Sequence, residues 1–98
     1  MTIEKNENGS SVTLKLAGRL DTSTAPELSQ EIESLNSASE LTLDLEGLEY
    51  LSSAGLRVLL MAHKKMSARG GAFKVSHVNG DVMEIFAITG FADILTIE

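Results

Sequence analysis

The sequence predicts one small α/β domain with a mixed, mostly parallel sheet, an initial antiparallel hairpin and about three main helices. Apolar residues switch repeatedly between a period of two and a helical spacing along the chain. A length of 98 residues is enough for one hydrophobic core and leaves no room for a second. Strands that alternate with helices are joined by right-handed crossovers and pair in parallel. We therefore expect a single domain over residues 1–98, in the order β-β-α-β-α-β-α-β.

The first two strands and the first helix follow from turn and cap patterns. Asn8-Gly9 precedes an alternating apolar run, and this dipeptide is typical of a tight hairpin turn. The run is Val12, Leu14 and Leu16. Thr24-Ala25-Pro26-Glu27 has the pattern of a capping box, in which the Thr24 side chain caps the helix that follows. The helix continues through Leu28, Ile32 and Leu35 and ends in the polar stretch 36–39.

The middle of the chain predicts a third strand and a second helix. The strand alternates through Leu41, Leu43 and Leu45. Gly47 permits a bend after this strand. The second helix follows Ser52-Ser53 and ends near Gly70-Gly71. Its buried stripe is expected to contain Leu56, Leu59, Leu60 and His63, widened by Val58 and Met61.

The C-terminal part predicts the remaining strand, helix and strand. A fourth strand contains Phe73, Val75 and His77. Asn79 is expected to cap a third helix, and Gly90 to end it. The apolar positions of that helix are Val82, Ile85, Phe86 and Ile88. Residues 94–97 are predicted to form the last strand.

Composition and charge exclude several classes of function. The net charge is −6, which argues against a nucleic-acid partner and against binding to an anionic membrane. The chain has no cysteine, so thiolate chemistry and disulfides are excluded. Since no apolar run approaches the length of a signal peptide core or a membrane span, we expect a cytoplasmic protein without direct membrane insertion.

The turn at Ser52 and Ser53 does not have the pattern of a catalytic site. A nucleophile elbow requires G-x-S-x-G, and the first glycine is absent around Ser53. His63 would lie about 15 Å from Ser53 along a helix axis, too far to act as its base. The two histidines and the scattered carboxylates lack the spacing of metal ligands. We therefore expect no enzyme activity, no metal and no cofactor.

The same turn is suited to protein binding and to modification. One serine hydroxyl is expected to cap the second helix, contributing about 0.5 to 2 kcal/mol, which leaves the other free. Ala54 and Gly55 keep the surroundings open to an approaching protein surface. A phosphate placed there would face the positive end of the helix and would add about −1.5 to −2 charges.

Three segments of the chain share the pattern of one known family. Residues 44–56, DLEGLEYLSSAGL, resemble the signature of the bacterial anti-sigma factor antagonists, the STAS domain family. Residues 18–25, GRLDTSTA, resemble the first conserved loop of that family, and residues 88–91, ITGF, resemble the segment before its last strand. The resemblance covers almost the whole chain and implies a STAS-like domain.

What the resemblance implies is a partner switch. In such proteins the unmodified antagonist binds an anti-sigma factor that is also a serine kinase, and this frees the sigma factor. The kinase then phosphorylates the antagonist, and a PP2C-type phosphatase restores it. The phosphorylated serine of the family lies two residues before a glycine, which corresponds to Ser53. The preceding residue is often aspartate in the family and is Ser52 here, so Ser52 is an alternative acceptor.

The predicted partner-binding surface combines the first loop with the start of the second helix. Its residues are Asp21, Ser23, Ser52, Ala54, Gly55 and Arg57. Asp21 is equally well explained as a turn cap, and Arg57 as a solvated helix residue that could reach a phosphate. Leu20, Leu56 and Met61 are expected in the core.

Two other functions are compatible with parts of the sequence. One is a STAS scaffold subunit that is not phosphorylated and serves a signalling or lipid-transport assembly. The other is direct nucleotide binding, for which the chain lacks a phosphate loop.

Overall fold

A five-stranded mixed sheet organises the chain, and the computed structural model describes all 98 residues. The strands are β1 (Thr2–Asn8), β2 (Ser11–Leu20), β3 (Glu40–Leu51), β4 (Ala72–Ser76) and β5 (Thr96–Ile97). The helices are α1 (Ala25–Glu33), α2 (Ser53–Ala68) and α3 (Gly80–Thr89), and a short 3-10 helix spans Phe91–Asp93. The spatial order of the strands equals their order in the chain. β1 is antiparallel to β2 and all other neighbours are parallel, which confirms the predicted fold class.

The hydrophobic core lies on one face of the sheet. Alternate leucines of β2 and β3 are buried there, together with the apolar residues of the three helices, in a single cluster of 23 residues. Fully burying a leucine contributes about 1.5 to 3 kcal/mol, so this face supplies most of the stability. The intervening positions, such as Lys15 and Thr42, lie on the opposite face, which is polar. The sheet is therefore covered on one side only.

The start of α1 differs from the predicted capping box. Thr24 precedes the helix, but its side chain makes no cap hydrogen bond. Its hydroxyl instead donates to the Arg19 carbonyl at 2.8 Å and accepts from the Asp21 amide at 2.9 Å. The Asp21 carboxylate accepts from the Thr24 amide at 3.2 Å. The prediction of a Thr24 cap is wrong because Asp21 organises this turn.

β3 continues through Gly47 to Leu51 without interruption. A Cβ atom at Gly47 would lie 2.9 Å from the Ala17 Cβ and 3.1 Å from the Leu16 carbonyl oxygen. The pairing of β2 with β3 shifts register next to this contact, between Lys15 and Ala17. Glycine is needed there because β2 approaches closely, so this contact explains the residue within a continuous strand.

The buried face of α2 differs from the predicted stripe. Its buried residues are Gly55, Val58, Leu59, Ala62 and Met66. Leu56, Leu60, Met61 and His63 are only partly buried. A Cβ atom at Gly55 would lie 2.6 Å from Leu51 Cδ1 and 2.8 Å from Leu20 Cγ. The glycine lets the helix lie against these two leucines, and this contact sets its rotation. Leu20, also predicted in the core, is fully buried, and Leu56 and Met61 pack at the edge of the core.

The C-terminal elements agree with the prediction in type and differ in detail. Asn79 caps α3 by accepting from the Val82 amide at 2.9 Å, and Gly90 ends the helix in the left-handed conformation. Ile88, predicted on the apolar face of α3, is 78% exposed. The last strand is shorter than predicted and begins at Thr96, because the amides of Ile94 and Leu95 donate to the Phe91 carbonyl at 3.0 and 2.8 Å and continue the preceding turn.

Candidate functional site

The loop after β2 and the helix after β3 begin next to each other, at the carboxyl ends of these two strands. Leu20 and Leu51 are partners in the parallel ladder, and the Ser52 amide donates to the Leu20 carbonyl at 3.0 Å. The loop that begins at Asp21 and the helix that begins at Ser53 therefore leave the same edge of the sheet. The resemblance to the STAS family implied that the Asp21 loop and the serine turn lie at the same end of the sheet.

Ser52 is the N-cap of α2. Its backbone is extended, with φ −95° and ψ 175°, and its hydroxyl accepts from the Gly55 amide at 3.3 Å. The Ser52 carbonyl accepts the first helical hydrogen bond, from Leu56, at 3.0 Å. This hydroxyl therefore provides a hydrogen-bond acceptor for one of the first-turn amides that have no partner within the helix.

Ser53 is the first residue of α2 and is exposed. It follows the cap, so its side chain leaves the helix at the end where backbone amides point outward and the helix dipole is positive. The cap hydrogen bond to Gly55 is made by Ser52, which leaves the Ser53 hydroxyl free of that role. The two serines thus divide into a capping residue and a presented residue.

Asp21 is held rigidly in the loop before α1. Its Oδ1 atom accepts from the Ser23 hydroxyl at 2.7 Å, the Ser23 amide at 3.0 Å and the Thr24 amide at 3.2 Å. These bonds, above all that from the Ser23 hydroxyl, hold the pKa of the Asp21 carboxyl below its ordinary value. Asp21 therefore carries a negative charge at neutral pH and acts as a turn cap.

Arg19 and Tyr50 form an exposed stacked pair beside Asp21. The guanidinium carbon of Arg19 lies 4.1 Å from the centre of the Tyr50 ring, a cation–π contact. The Arg19 Nε also lies 3.8 Å from Asp21 Oδ2. Sequence reasoning missed this pair, because the pairing of Arg19 with Tyr50 follows a register shift in the β2–β3 ladder that the sequence does not reveal.

The remaining predicted contact residues lie around the start of α2. Arg57 is exposed, Ala54 is partly buried, and both line a groove of about 540 Å³ between α1 and α2. Thr22, Pro26 and Met61 also line this groove. Gly55 is buried against Leu20 and Leu51, so its contribution is to position the turn.

A second cluster of chemically active side chains lies on the polar face of the sheet. Asp44, Glu46 and His77 each place one potential ligand atom within 4.8 Å of the others. The sequence spacing of these residues shows no ligand pattern, yet the parallel pairing of β3 with β4 brings these three together. His63 on α2 does not belong to the cluster.

Comparison with known proteins identifies the family to which this chain belongs. Residues 3–96 match the family described as Mlab, STAS domain. The anti-sigma-B factor antagonist of Bacillus subtilis (strain 168) is 26% identical over 98 residues, which cover 99% of this chain and 90% of the relative. The chain belongs to the STAS domain family, and the relatives that it matches are named anti-sigma factor antagonists.

Solved structures agree with this assignment. An anti-sigma factor antagonist from Mycobacterium paratuberculosis superposes with a TM-score of 0.85 at 26% identity, covering 98% of this chain and 83% of that one. The Bacillus cell fate determinant SpoIIAA in its phosphorylated form superposes with a TM-score of 0.79 at 15% identity, covering 99% and 91%. The second likeness concerns the fold alone. No helix of the chain is both long and apolar enough to span a bilayer.

Proposed function

We propose that this chain antagonises an anti-sigma factor that is also a serine kinase, and that phosphorylation of Ser53 switches the antagonist off. The proposal rests on the different roles of the two serines at the start of α2. Ser52 is engaged as the helix cap, and Ser53 is exposed at the first helical position of a STAS domain. A hydroxyl presented in this way is accessible to the active site of another protein.

Local charge explains how a phosphate on Ser53 would change binding. A phosphate adds about −1.5 to −2 charges at neutral pH, and Asp21 at the same edge of the sheet is already ionised. The positive end of α2 accommodates the phosphate, so the fold is retained. The added negative charge repels an acidic partner surface and makes it harder to remove water from the contact.

The proposed contact surface surrounds this hydroxyl. It comprises the loop residues Asp21 and Ser23 together with Ser52, Ala54 and Arg57 at the start of α2. Gly55 supports it from beneath by holding the helix against β2 and β3. The Arg19–Tyr50 stack extends the surface, since arginine and aromatic residues contribute most to protein interfaces.

The full cycle requires two partners of opposite activity. The anti-sigma factor kinase transfers the γ-phosphoryl group of ATP to the Ser53 hydroxyl, and a PP2C-type phosphatase removes it. Both partners act in the bacterial cytoplasm. Neither step uses a catalytic group of this chain, because the nucleotide and the catalytic residues belong to the partners.

Displacement of the sigma factor is the direct test of antagonism. The cognate sigma factor and anti-sigma factor are mixed with the unmodified chain, and the free sigma factor is measured by size-exclusion chromatography. We expect release by the wild type and by Ser53→Ala, and much weaker release by Ser53→Asp. No release by the unmodified chain would refute the proposal and favour the scaffold alternative, in which the same surface binds an assembly without phosphorylation.

A further inference from the structure

We propose that Asp44, Glu46 and His77 form a site for a divalent transition-metal ion such as Zn²⁺ on the polar face of the sheet. Their three ligand atoms lie within 4.8 Å of one another. Two ligands on one zinc ion are at most about 4.2 Å apart, twice the metal–ligand bond length. Small side-chain rotations of Glu46 and His77, both exposed, close this difference.

Asp44 is the distinctive member of the site. It is the only charged residue buried in this protein, and its side chain is 9% exposed. Oδ1 accepts from the Glu46 amide at 3.0 Å and lies 3.1 Å from the His77 Nδ1 atom. No hydrogen bond or ion pair of the chain uses Oδ2. Since no side-chain oxygen of the protein is both sealed from solvent and without a partner, Oδ2 reaches the solvent-filled depression and is open to a metal ion.

The charges around the site suit a divalent ion. Glu4 and Lys15 line the adjacent depression of about 280 Å³ together with Asp44 and Glu46. The three carboxylates and one ammonium leave two negative charges uncompensated when His77 is neutral. Lys15 faces Asp44 in the β2–β3 ladder, yet no ion pair within 4 Å joins them.

The ligand set selects the kind of metal. An imidazole nitrogen with two carboxylates favours zinc and related transition metals, whereas Mg²⁺ and Ca²⁺ prefer oxygen ligands alone. Three protein ligands leave room for water in the coordination shell, and the depression beside Asp44 and Glu46 opens to solvent. The bound ion would join the end of β4 to β3, on the face of the sheet opposite the helices.

Calorimetric titration of the untagged chain with Zn²⁺ at neutral pH tests this site. We expect one ion per chain, a rise in melting temperature with Zn²⁺, and a shift of the His77 imidazole NMR signals without a shift of those of His63. His77→Asn keeps a residue that tolerates the left-handed backbone observed at this position, φ 54°, and removes the imidazole. Glu46→Gln keeps the backbone amide that donates to Asp44.

Each variant is expected to weaken Zn²⁺ binding by at least about tenfold. Should His77→Asn fold poorly, the exposed Glu46→Gln variant still decides. Absence of saturable binding, unchanged affinity in Glu46→Gln, or a response of His63 in place of His77 would each overturn the proposal. These results leave the role of Ser53 untouched, because the two sites lie on different parts of the sheet.

Discussion

The amide of Ser52 donates a hydrogen bond to the carbonyl of Leu20 at 3.0 Å. This bond closes the parallel ladder between β2 and β3 and fixes where both strands end. The Asp21 loop and the start of α2 are thereby held at one edge of the sheet. The position of Ser53 at the same edge of the sheet as Asp21 follows from this backbone geometry, which a change of side chain at Ser53 does not disturb.

A negative charge at Ser53 should alter binding while leaving stability nearly unchanged. Ser53 is exposed at the first position of α2, where an acidic residue interacts favourably with the helix dipole by about 0.3 to 1 kcal/mol. We expect Ser53→Asp to unfold in urea at or slightly above the wild-type midpoint, although it antagonises poorly. A large fall in its free energy of unfolding would show that loss of function reflects misfolding.

Removal of the helix cap should lower the stability of the protein. Ser52→Ala deletes the hydroxyl that accepts from the Gly55 amide, and we expect a loss of about 0.5 to 2 kcal/mol in the free energy of unfolding. Urea denaturation measures this loss. Ser53→Ala is the matched control, with a change within about 0.5 kcal/mol, because its hydroxyl caps nothing. Equal losses in the two variants would contradict the assignment of Ser52 as the cap.

Gly55 should not tolerate a side chain. A Cβ atom there would lie 2.6 Å from Leu51 Cδ1, so Gly55→Ala forces the helix or the leucine to move. Overpacking of this kind costs about 1 to 3 kcal/mol. Gly80→Ala, at the first position of α3, has no heavy atom within 4 Å of the new methyl group and should change stability by less than about 0.5 kcal/mol. Denaturant unfolding of both variants compares them, and similar stabilities would refute the packing argument.

The charge of Asp21 depends on Ser23. Ser23→Ala removes the hydroxyl bond that contributes most to the lowered pKa of Asp21, so we expect that pKa to rise toward its ordinary value. NMR titration of the Asp21 carboxyl carbon measures the change. Ser67→Ala, on the exposed side of α2, is the control and should leave the pKa of Asp21 where it is.

Ser23→Ala should also change how the stability of the protein depends on pH. Because the folded pKa of Asp21 is depressed, its stabilising contribution is present above the unfolded pKa of about 3.9 and is lost as the pH falls through the lower folded pKa. Ser23→Ala should therefore be less stable than the wild type at neutral pH, and this difference should shrink at acidic pH. A difference that grows on acidification would contradict the sign of this coupling.

The fold was predictable because its elements carry strong local patterns. The hairpin of β1 and β2, the alternating leucines of β2 and β3, and Asn79 with Gly90 around α3 are each confirmed by the structure, although the two loop residues of the hairpin are Gly9 and Ser10 and Asn8 still pairs within β1. The features that were mispredicted depend on contacts between distant segments. From the sequence alone, Gly47 suggests a bend, whereas the structure shows that a side chain there would collide with Ala17. The rotation of α2 likewise follows from the contact of Gly55 with Leu20 and Leu51.

The candidate site was predictable in part for the same reason. Its position at the end of β2 and β3 follows from parallel pairing, and one capping serine was expected from the turn. The assignment of the cap to Ser52 required the backbone angles. The Arg19–Tyr50 stack and the cluster of Asp44, Glu46 and His77 depend on strand register, which element prediction alone does not supply.

Intact-mass analysis after incubation with the cognate kinase and ATP tests the central claim most directly, with the wild type, Ser52→Ala and Ser53→Ala compared side by side. We predict one added phosphate on the wild type and on Ser52→Ala, and none on Ser53→Ala. A phosphate that persists on Ser53→Ala and disappears from Ser52→Ala, or the absence of any phosphate from the wild type, would contradict the account.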